Sequence, residues 1–264
     1  MNLDFENKVF YIAGVANRKS VAYCVAKILI DSHAKVIFSA QNEANLKQIT
    51  KSFPSSPVFI CDVEKLEDIE SLNKNITLHT DKLDGFLHSL AFANFELPAK
   101  SFHETNRKDY LQACQISSFS MVEMTNAIKE TLTKNASIVT VGISNTKATS
   151  YGYLGPIKAM LESTVDYLAK SLSEFSNIRV NCVAAGPLKT SASAGIPNYI
   201  DNYLFSEALT LRKENLKTDE VAQTICFLLS DKSSGINSQS LIVDAGMSVN
   251  YFDQDIVKTY NKNL

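Results

Sequence analysis

Short apolar runs alternate with segments of helical period from one end of this chain to the other. No other feature constrains the fold as strongly, because parallel strands need a crossover between them and a helix supplies it. Strands are predicted at 9–13, 36–39, 58–61, 85–89, 137–141, 179–183 and 241–243. Helices are predicted at 21–30, 44–51, 66–76, 108–131, 157–172 and 219–229. In the first helix Val21, Cys24, Val25 and Ile28 share one face. The fifth carries Ile157, Met160, Leu161, Val165, Leu168 and Leu172 at helical spacing, behind a Gly155-Pro156 opening that suits a first turn. The pattern implies an α/β fold with a doubly wound, Rossmann-like parallel sheet of about seven strands, in a single domain over 1–264. The longest irregular stretch runs from 186 to about 217, on the side of the sheet where ligands bind, and reads as a lid over about 187–217.

Composition narrows the function by exclusion. The 264 residues are 45% hydrophobic and 20% charged, with a formal charge of −2 and cations spread throughout. Neither nucleic acid nor an anionic membrane surface is therefore expected as a partner. Cys24, Cys61, Cys114, Cys182 and Cys226 lie far apart, and His33, His79, His88 and His103 show no ligand spacing, so no metal site is expected. Separate thiols, no membrane-length apolar run and no signal-like N-terminus together imply a cytoplasmic protein.

Chemistry enters with Tyr151 and Lys158, seven positions apart at a strand-to-helix junction. A free phenol, with a pKa near 10, is a poor donor to a developing oxyanion at neutral pH. A neighbouring ammonium favours the phenolate, so the pair is expected to lower the tyrosine's pKa and polarise a carbonyl or enolate during reduction. By themselves the two residues read more readily as a half-buried Tyr and a solvated Lys. After the first strand, Gly14 and the first-turn residue Ser20 offer backbone N–H groups to a pyrophosphate without forming a P-loop.

Taken in order, the motifs form one pattern. The stretch Gly14-Val15-Ala16-Asn17-Arg18-Lys19-Ser20-Val21-Ala22 is followed by Gln41, by Cys61-Asp62-Val63 and by His88-Ser89-Leu90-Ala91-Phe92-Ala93. Ile116-Ser117-Ser118, the Tyr151/Lys158 pair, Ala185-Gly186-Pro187-Leu188-Lys189-Thr190 and Val243-Asp244-Ala245-Gly246 complete it. Over nearly its whole length the chain resembles the FabI-type enoyl-[acyl-carrier-protein] reductases, a divergent branch of the short-chain dehydrogenase/reductases. The resemblance implies reduction of the trans-2 double bond of an enoyl thioester, on acyl carrier protein or CoA, in fatty-acid synthesis. It implies Tyr151 and Lys158 as the catalytic pair. Gly14, Ser20 and Val21 would hold the cofactor pyrophosphate, and Asp62 with Val63 the adenine. Ser89, Leu90 and Ala91 would line ribose and nicotinamide, Lys158 would bond the ribose hydroxyls, and Leu188 with Thr190 would fix the carboxamide. Ala93, Ile143, Tyr151, Ala192, Ile196 and Tyr199 would wall the substrate. Gln41 is neither the acid expected at a ribose 2′-hydroxyl nor an arginine for a 2′-phosphate, and relatives with Gln there tend to use NADH, so NAD(H) is favoured over NADP(H). A homotetramer is implied by analogy.

Three positions depart from the family pattern. Ile143 stands where a second tyrosine is usual, and Tyr153, two residues past Tyr151, is no simple substitute. Ala91 replaces a usual Gly. After Ala194-Gly195-Ile196 the chain reads Pro197-Asn198-Tyr199-Ile200-Asp201-Asn202-Tyr203, without the cations thought to meet an acidic carrier, which leaves Lys213 or Lys217 for that contact. Two alternatives stay open: a short-chain reductase for another carbonyl, enone or acyl-CoA, and a non-catalytic cofactor-binding relative, against which the retained Tyr151 and Lys158 speak. The tail after 246 is longer than the family needs; Tyr251, Phe252 and Ile256 would dock on a neighbouring subunit or fray.

Overall fold

The computed structural model describes residues 3–95, 101–190, 193, 196 and 199–262. Among these, seven strands run parallel: β1 (Val9–Ala13), β2 (Lys35–Ala40), β3 (Val58–Ile60), β4 (Leu83–His88), β5 (Leu132–Ile143), β6 (Arg179–Ala185) and β7 (Gln239–Val243). Their order across the sheet is β3-β2-β1-β4-β5-β6-β7. The chain starts in the middle, winds one way through β3, then crosses back to β4. The switch point lies between β1 and β4, where loops diverge and leave a crevice at the carboxyl ends of the strands.

Alternation along β1 shows how the sheet is covered. Phe10 and Ile12 enter a core with α1 (Val21–Asp31) and α8 (Thr218–Leu229), while Val9, Tyr11 and Ala13 enter one with α3 (Leu66–Thr77), α5 (Ser120–Ile128) and α6 (Leu154–Leu172). All five residues are buried, which is why a parallel strand reads as a continuous apolar run. Tyr11, inside the sheet, donates from its hydroxyl to Ser39 Oγ at 2.7 Å, whereas the buried hydroxyls of Ser118 and Thr125 have no hydrogen-bond partner. The remaining helices are α2 (Glu43–Ser52), α4 (Arg107–Cys114), α7 (Tyr199–Leu209) and α9 (Gln254–Lys262). No helix of the described residues is long and apolar enough to cross a membrane.

Three local expectations are corrected, and the tail takes a definite form. The single helix predicted at 108–131 is broken: α4 and α5 are joined by a π-helical turn at Gln115–Phe119, and 132–136 already belong to β5. A wide turn of this kind shifts the helical face, so one apolar period misreads it. The fifth helix starts three residues before Ile157, at Leu154, and Pro156 still fits because first-turn N–H groups need no intrahelical acceptor. The irregular stretch 186–217 contains α7, whose buried residues are only Tyr199 and Ser206 and which therefore shows no clear apolar stripe. The tail forms α9, pinned by Asn250 Nδ2 donating to Leu209 O at 2.7 Å and by an ion pair between Lys213 and Asp253. Ala192, Ala194, Gly195, Pro197 and Asn198 of the expected lid lie outside the described residues.

Candidate active site

A crevice of about 370 Å³ runs across the carboxyl ends of the strands. Every predicted site residue that the structure describes lines it: Gly14, Ser20 and Val21 after β1, Gln41 after β2, Asp62 and Val63 after β3. Ser89, Leu90, Ala91 and Ala93 follow from β4, Ile143 from β5, and Leu188 and Thr190 from β6. Tyr151, Lys158, Ile196 and Tyr199 complete the set. Ala192 lies outside the described residues.

The floor of the crevice depends on one glycine. Gly14 has φ +105°, and a Cβ there would sit 2.1 Å from Ser89 O, so the loops after β1 and β4 meet backbone to backbone. Ser20 then caps α1: its Oγ accepts from Tyr23 N at 3.4 Å and donates to Asn17 O at 2.7 Å. Its own amide donates to Asn17 O at 3.0 Å, which leaves the α1 first turn beginning at Val21 as the source of outward N–H groups.

Tyr151 closes a short 3₁₀ turn (Thr149–Tyr151), and Gly152, at φ +62°, carries the chain into α6 and Lys158. Lys158 is buried and donates from Nζ to Val141 O at 2.8 Å. Burial lowers its pKa from the ordinary 10.5 to about 8, with Cys182 and Glu162 acting in the opposite direction. The expected lowering of the Tyr151 pKa is not found. Burial, with a further contribution from Tyr199, raises it well above the usual phenol range, and the Lys158 ammonium is turned onto Val141 O. Beneath the pair, His88 is fully buried between Thr140 Oγ1 (3.0 Å from Nδ1) and Ser120 Oγ (2.9 Å from Nε2). Burial, reinforced by Lys158, pushes its pKa down to about 3, so it stays neutral and serves as a hydrogen-bonded strut.

Two hydroxyls bracket the loops that line the middle of the crevice. Ser117 Oγ, in the π turn, accepts from Phe92 N at 2.9 Å and donates to Phe92 O at 3.1 Å. Tyr199 Oη accepts from Leu188 N and donates to Leu188 O, both at 2.8 Å. Tyr153 is engaged elsewhere: its hydroxyl donates to Asn94 O at 2.5 Å and its ring packs on Phe95 with centroids 5.2 Å apart. It cannot fill the place of the missing second tyrosine. Several lining residues escaped the sequence reading, among them Asn45, Phe95, Ser193 and Met247. The first lies four residues past Gln41 on α2 and was within reach of spacing arguments; Met247 arrives from the far end of the chain and gave no signal.

The profile of the family described as "Enoyl-(Acyl carrier protein) reductase" matches residues 14–248. The chain belongs to that family. Among enoyl-(acyl carrier protein) reductases it is 35% identical over 251 residues to the Staphylococcus aureus protein named "Enoyl-[acyl-carrier-protein] reductase [NADPH] FabI", covering 92% of this chain and 98% of the relative. It is 33% identical over 255 residues to the NADH-named FabI of Buchnera aphidicola, covering 93% and 96%. The solved NADH-named reductase of Aquifex aeolicus superposes with a TM-score of 0.88 at 30% identity, covering 93% of this chain and 98% of that one. Both cofactor names occur among these relatives, so family membership fixes a nicotinamide dinucleotide and leaves the preference to the residues of the crevice.

Proposed function

We propose that this protein reduces the trans-2 double bond of an enoyl thioester carried on acyl carrier protein, using NADH. The observation that carries the reading is the meeting of Tyr151 and Lys158 with the expected dinucleotide-binding loops in one crevice at the switch point. The donor set suits a dinucleotide: first-turn amides of α1 for the pyrophosphate, the Asp62 carboxylate for an exocyclic amine, and Lys158 for ribose hydroxyls. Lys158 is the sole cation among the described lining residues, so a 2′-phosphate beside Gln41 and Asn45 would meet no opposite charge. This absence supports NADH over NADPH.

When bound, the reduced nicotinamide supplies a hydride to the substrate β-carbon. Tyr151 donates a hydrogen bond to the thioester oxygen as enolate character develops there, and its raised pKa keeps the phenol protonated for the task. Lys158, which donates to Val141 O here, would hold the ribose hydroxyls of the bound cofactor and supply positive charge to the developing enolate. A proton taken from solvent at the α-carbon then gives the saturated thioester, completing the addition begun by the hydride. The segment 187–217, including α7, acts as the substrate lid.

The described part of α7 bears Asp201 and Glu207 and no cation, and Lys213 is paired with Asp253. Electrostatic steering of an acidic carrier is therefore weak, and the preference for carrier over CoA is correspondingly modest. Exposed Leu111 and Phe119 on one helical layer and Met160 and Tyr167 on α6 support a homotetramer, which sedimentation equilibrium would test. The five free cysteines suit a reducing compartment such as the cytoplasm.

The decisive experiment follows NADH absorbance with trans-2-enoyl thioesters on carrier protein and on CoA. Turnover should require the enoyl group and fall by about 10²–10³-fold in Tyr151→Phe and Lys158→Met. NADH binding without turnover on either carrier would overturn the reading.

A further inference from the structure

Tyr153 stands two residues past Tyr151, at the N-cap of α6, and is 7% exposed without being one of the residues that line the crevice. Its side chain reaches the loop after β4 twice. The hydroxyl donates to Asn94 O at 2.5 Å, and the ring packs on Phe95 with centroids 5.2 Å apart. The side chain of Asn94 is tied the other way, to α4, with Nδ2 donating to Asp109 Oδ1 at 3.1 Å and to Gln112 Oε1 at 3.0 Å. Asn94 is thus clamped between α4 and the turn that opens α6. Burial, with the Asp109 carboxylate acting in the same direction, raises the Tyr153 pKa, so its phenol stays a donor at neutral pH.

Phe95 is the part of this clamp that faces the crevice. Its ring edge lies over Gly152: a Cβ there would sit 3.1 Å from Phe95 Cε1, so the glycine leaves the space that the ring occupies. Ala93 and Phe95 pack against a small core of Ala113, Tyr153 and Ile157, separate from the two cores that cover the sheet. We propose that Tyr153 is a positioning residue for acyl-chain recognition, holding the Phe95 ring as an aromatic wall at a set distance from the proton donor Tyr151. The inference rests on the enoyl-thioester reading given above and adds the part of the substrate that Tyr153 governs. Phe95 offers neither a proton nor a charge; what an apolar ring in a crevice wall recognises is hydrocarbon. Tyr151 and Tyr153 flank a single glycine, so the wall and the proton donor are fixed to one stretch of backbone. A chain long enough to reach Phe95 gains from the wall, and a short one does not. The thioester end, common to both, is handled by Tyr151 and Lys158.

The test compares trans-2-butenoyl with trans-2-dodecenoyl thioesters, each on CoA and on acyl carrier protein, using the full chain and NADH. Tyr153→Phe keeps the ring and its packing and removes the tie to Asn94 O. The KM for the dodecenoyl thioester should rise by about 5- to 10-fold, as expected for one lost hydrogen bond. The butenoyl KM and the affinity for NADH should be unchanged, and kcat should move by less than about twofold with either chain. Phe95→Ala should give the same chain-length bias more strongly, by about 10- to 50-fold. The two substitutions together should cost no more than Phe95→Ala alone, because Tyr153 acts through that ring; independent structural damage would add. Tyr110→Phe, which keeps a ring 6.1 Å from that of Tyr153, should change neither KM. Equal losses with both chain lengths, additive losses, or weakened NADH in Tyr153→Phe would each overturn the positioning role, as would an unchanged dodecenoyl KM. Failure of the unmodified protein to reduce either chain would overturn the enoyl-thioester reading itself, and the inference with it.

Discussion

The loops after β4 and β6 both line the crevice, and each has one residue whose N–H and C=O share a single hydroxyl, yet the two hydroxyls stand on unequal foundations. Ser117 is wholly buried in the π turn, continuous with an α5 whose Met121, Met124 and Ile128 are core residues. Tyr199 stands on a helix with a single other buried residue. The hydrogen bonds are alike in length, so local geometry does not distinguish the two walls. What distinguishes them is how much packed structure must move before each bond breaks. One wall is tied into the core by several buried side chains; the other is held by two.

The comparison can be broken from below. Gly14→Ala drives a Cβ into Ser89 O, the root of the wall after β4, at a φ that L-residues avoid. It should cost about 3–5 kcal/mol in urea unfolding and abolish NADH binding. Ser117→Ala leaves the Phe92 N–H and C=O unpaired, and should cost about 1–3 kcal/mol and exceed the stability loss of Tyr199→Phe. The reverse order would mean that the walls have been ranked wrongly.

Lys158, between the walls, sharpens the picture through pH. Its folded pKa of about 8 lies below the ordinary 10.5, so the unfolded chain binds the proton more tightly in that window. Stability should therefore rise with pH between 8 and 10.5, while kcat/KM, which in the proposed mechanism depends on the ammonium, should fall by up to about tenfold per pH unit. Melting curves and initial rates on the same samples would separate the two trends. Loss of both trends in Lys158→Met would assign them to this residue, and their survival would exclude it. The smallest effect is expected from Asn250→Ala, which releases Leu209 O at the far end of α7. Stability should drop by about 1 kcal/mol or less, with faster exchange over 199–209 and none at Ser117.

The same division explains what the sequence made legible. β1 was read to the residue because five buried positions in a row leave a strand no other identity. The lining of the crevice followed, since motifs at strand ends inherit their positions from the sheet. Ser20 and Asp62 lie far apart in the chain, yet topology alone brings them to one crevice. The π turn escaped because nothing in Gln115-Ile116-Ser117-Ser118-Phe119 marks one extra residue per turn. α7 escaped because a helix that buries two side chains has no stripe to read. The Tyr151 pKa was expected in the wrong direction for a related reason. Pairing with Lys158 was inferred from spacing, whereas burial and the direction in which Nζ points are properties of the assembled crevice.

The junction between Tyr151 and Lys158 has a consequence for how such a gene can vary. Tyr151 sits outside α6, fixed by a 3₁₀ turn and by Gly152, while Lys158 is the fifth residue of the helix. Adding or removing one codon between Leu154 and Lys158 would swing the ammonium by about 100° around the helix axis, away from Val141 and the crevice. Substitutions on this stretch can accumulate one at a time, but a change of length cannot be repaired by any later substitution nearby. The interval is therefore a ratchet: lineages can repaint its surface freely, and cannot alter its count without surrendering the chemistry.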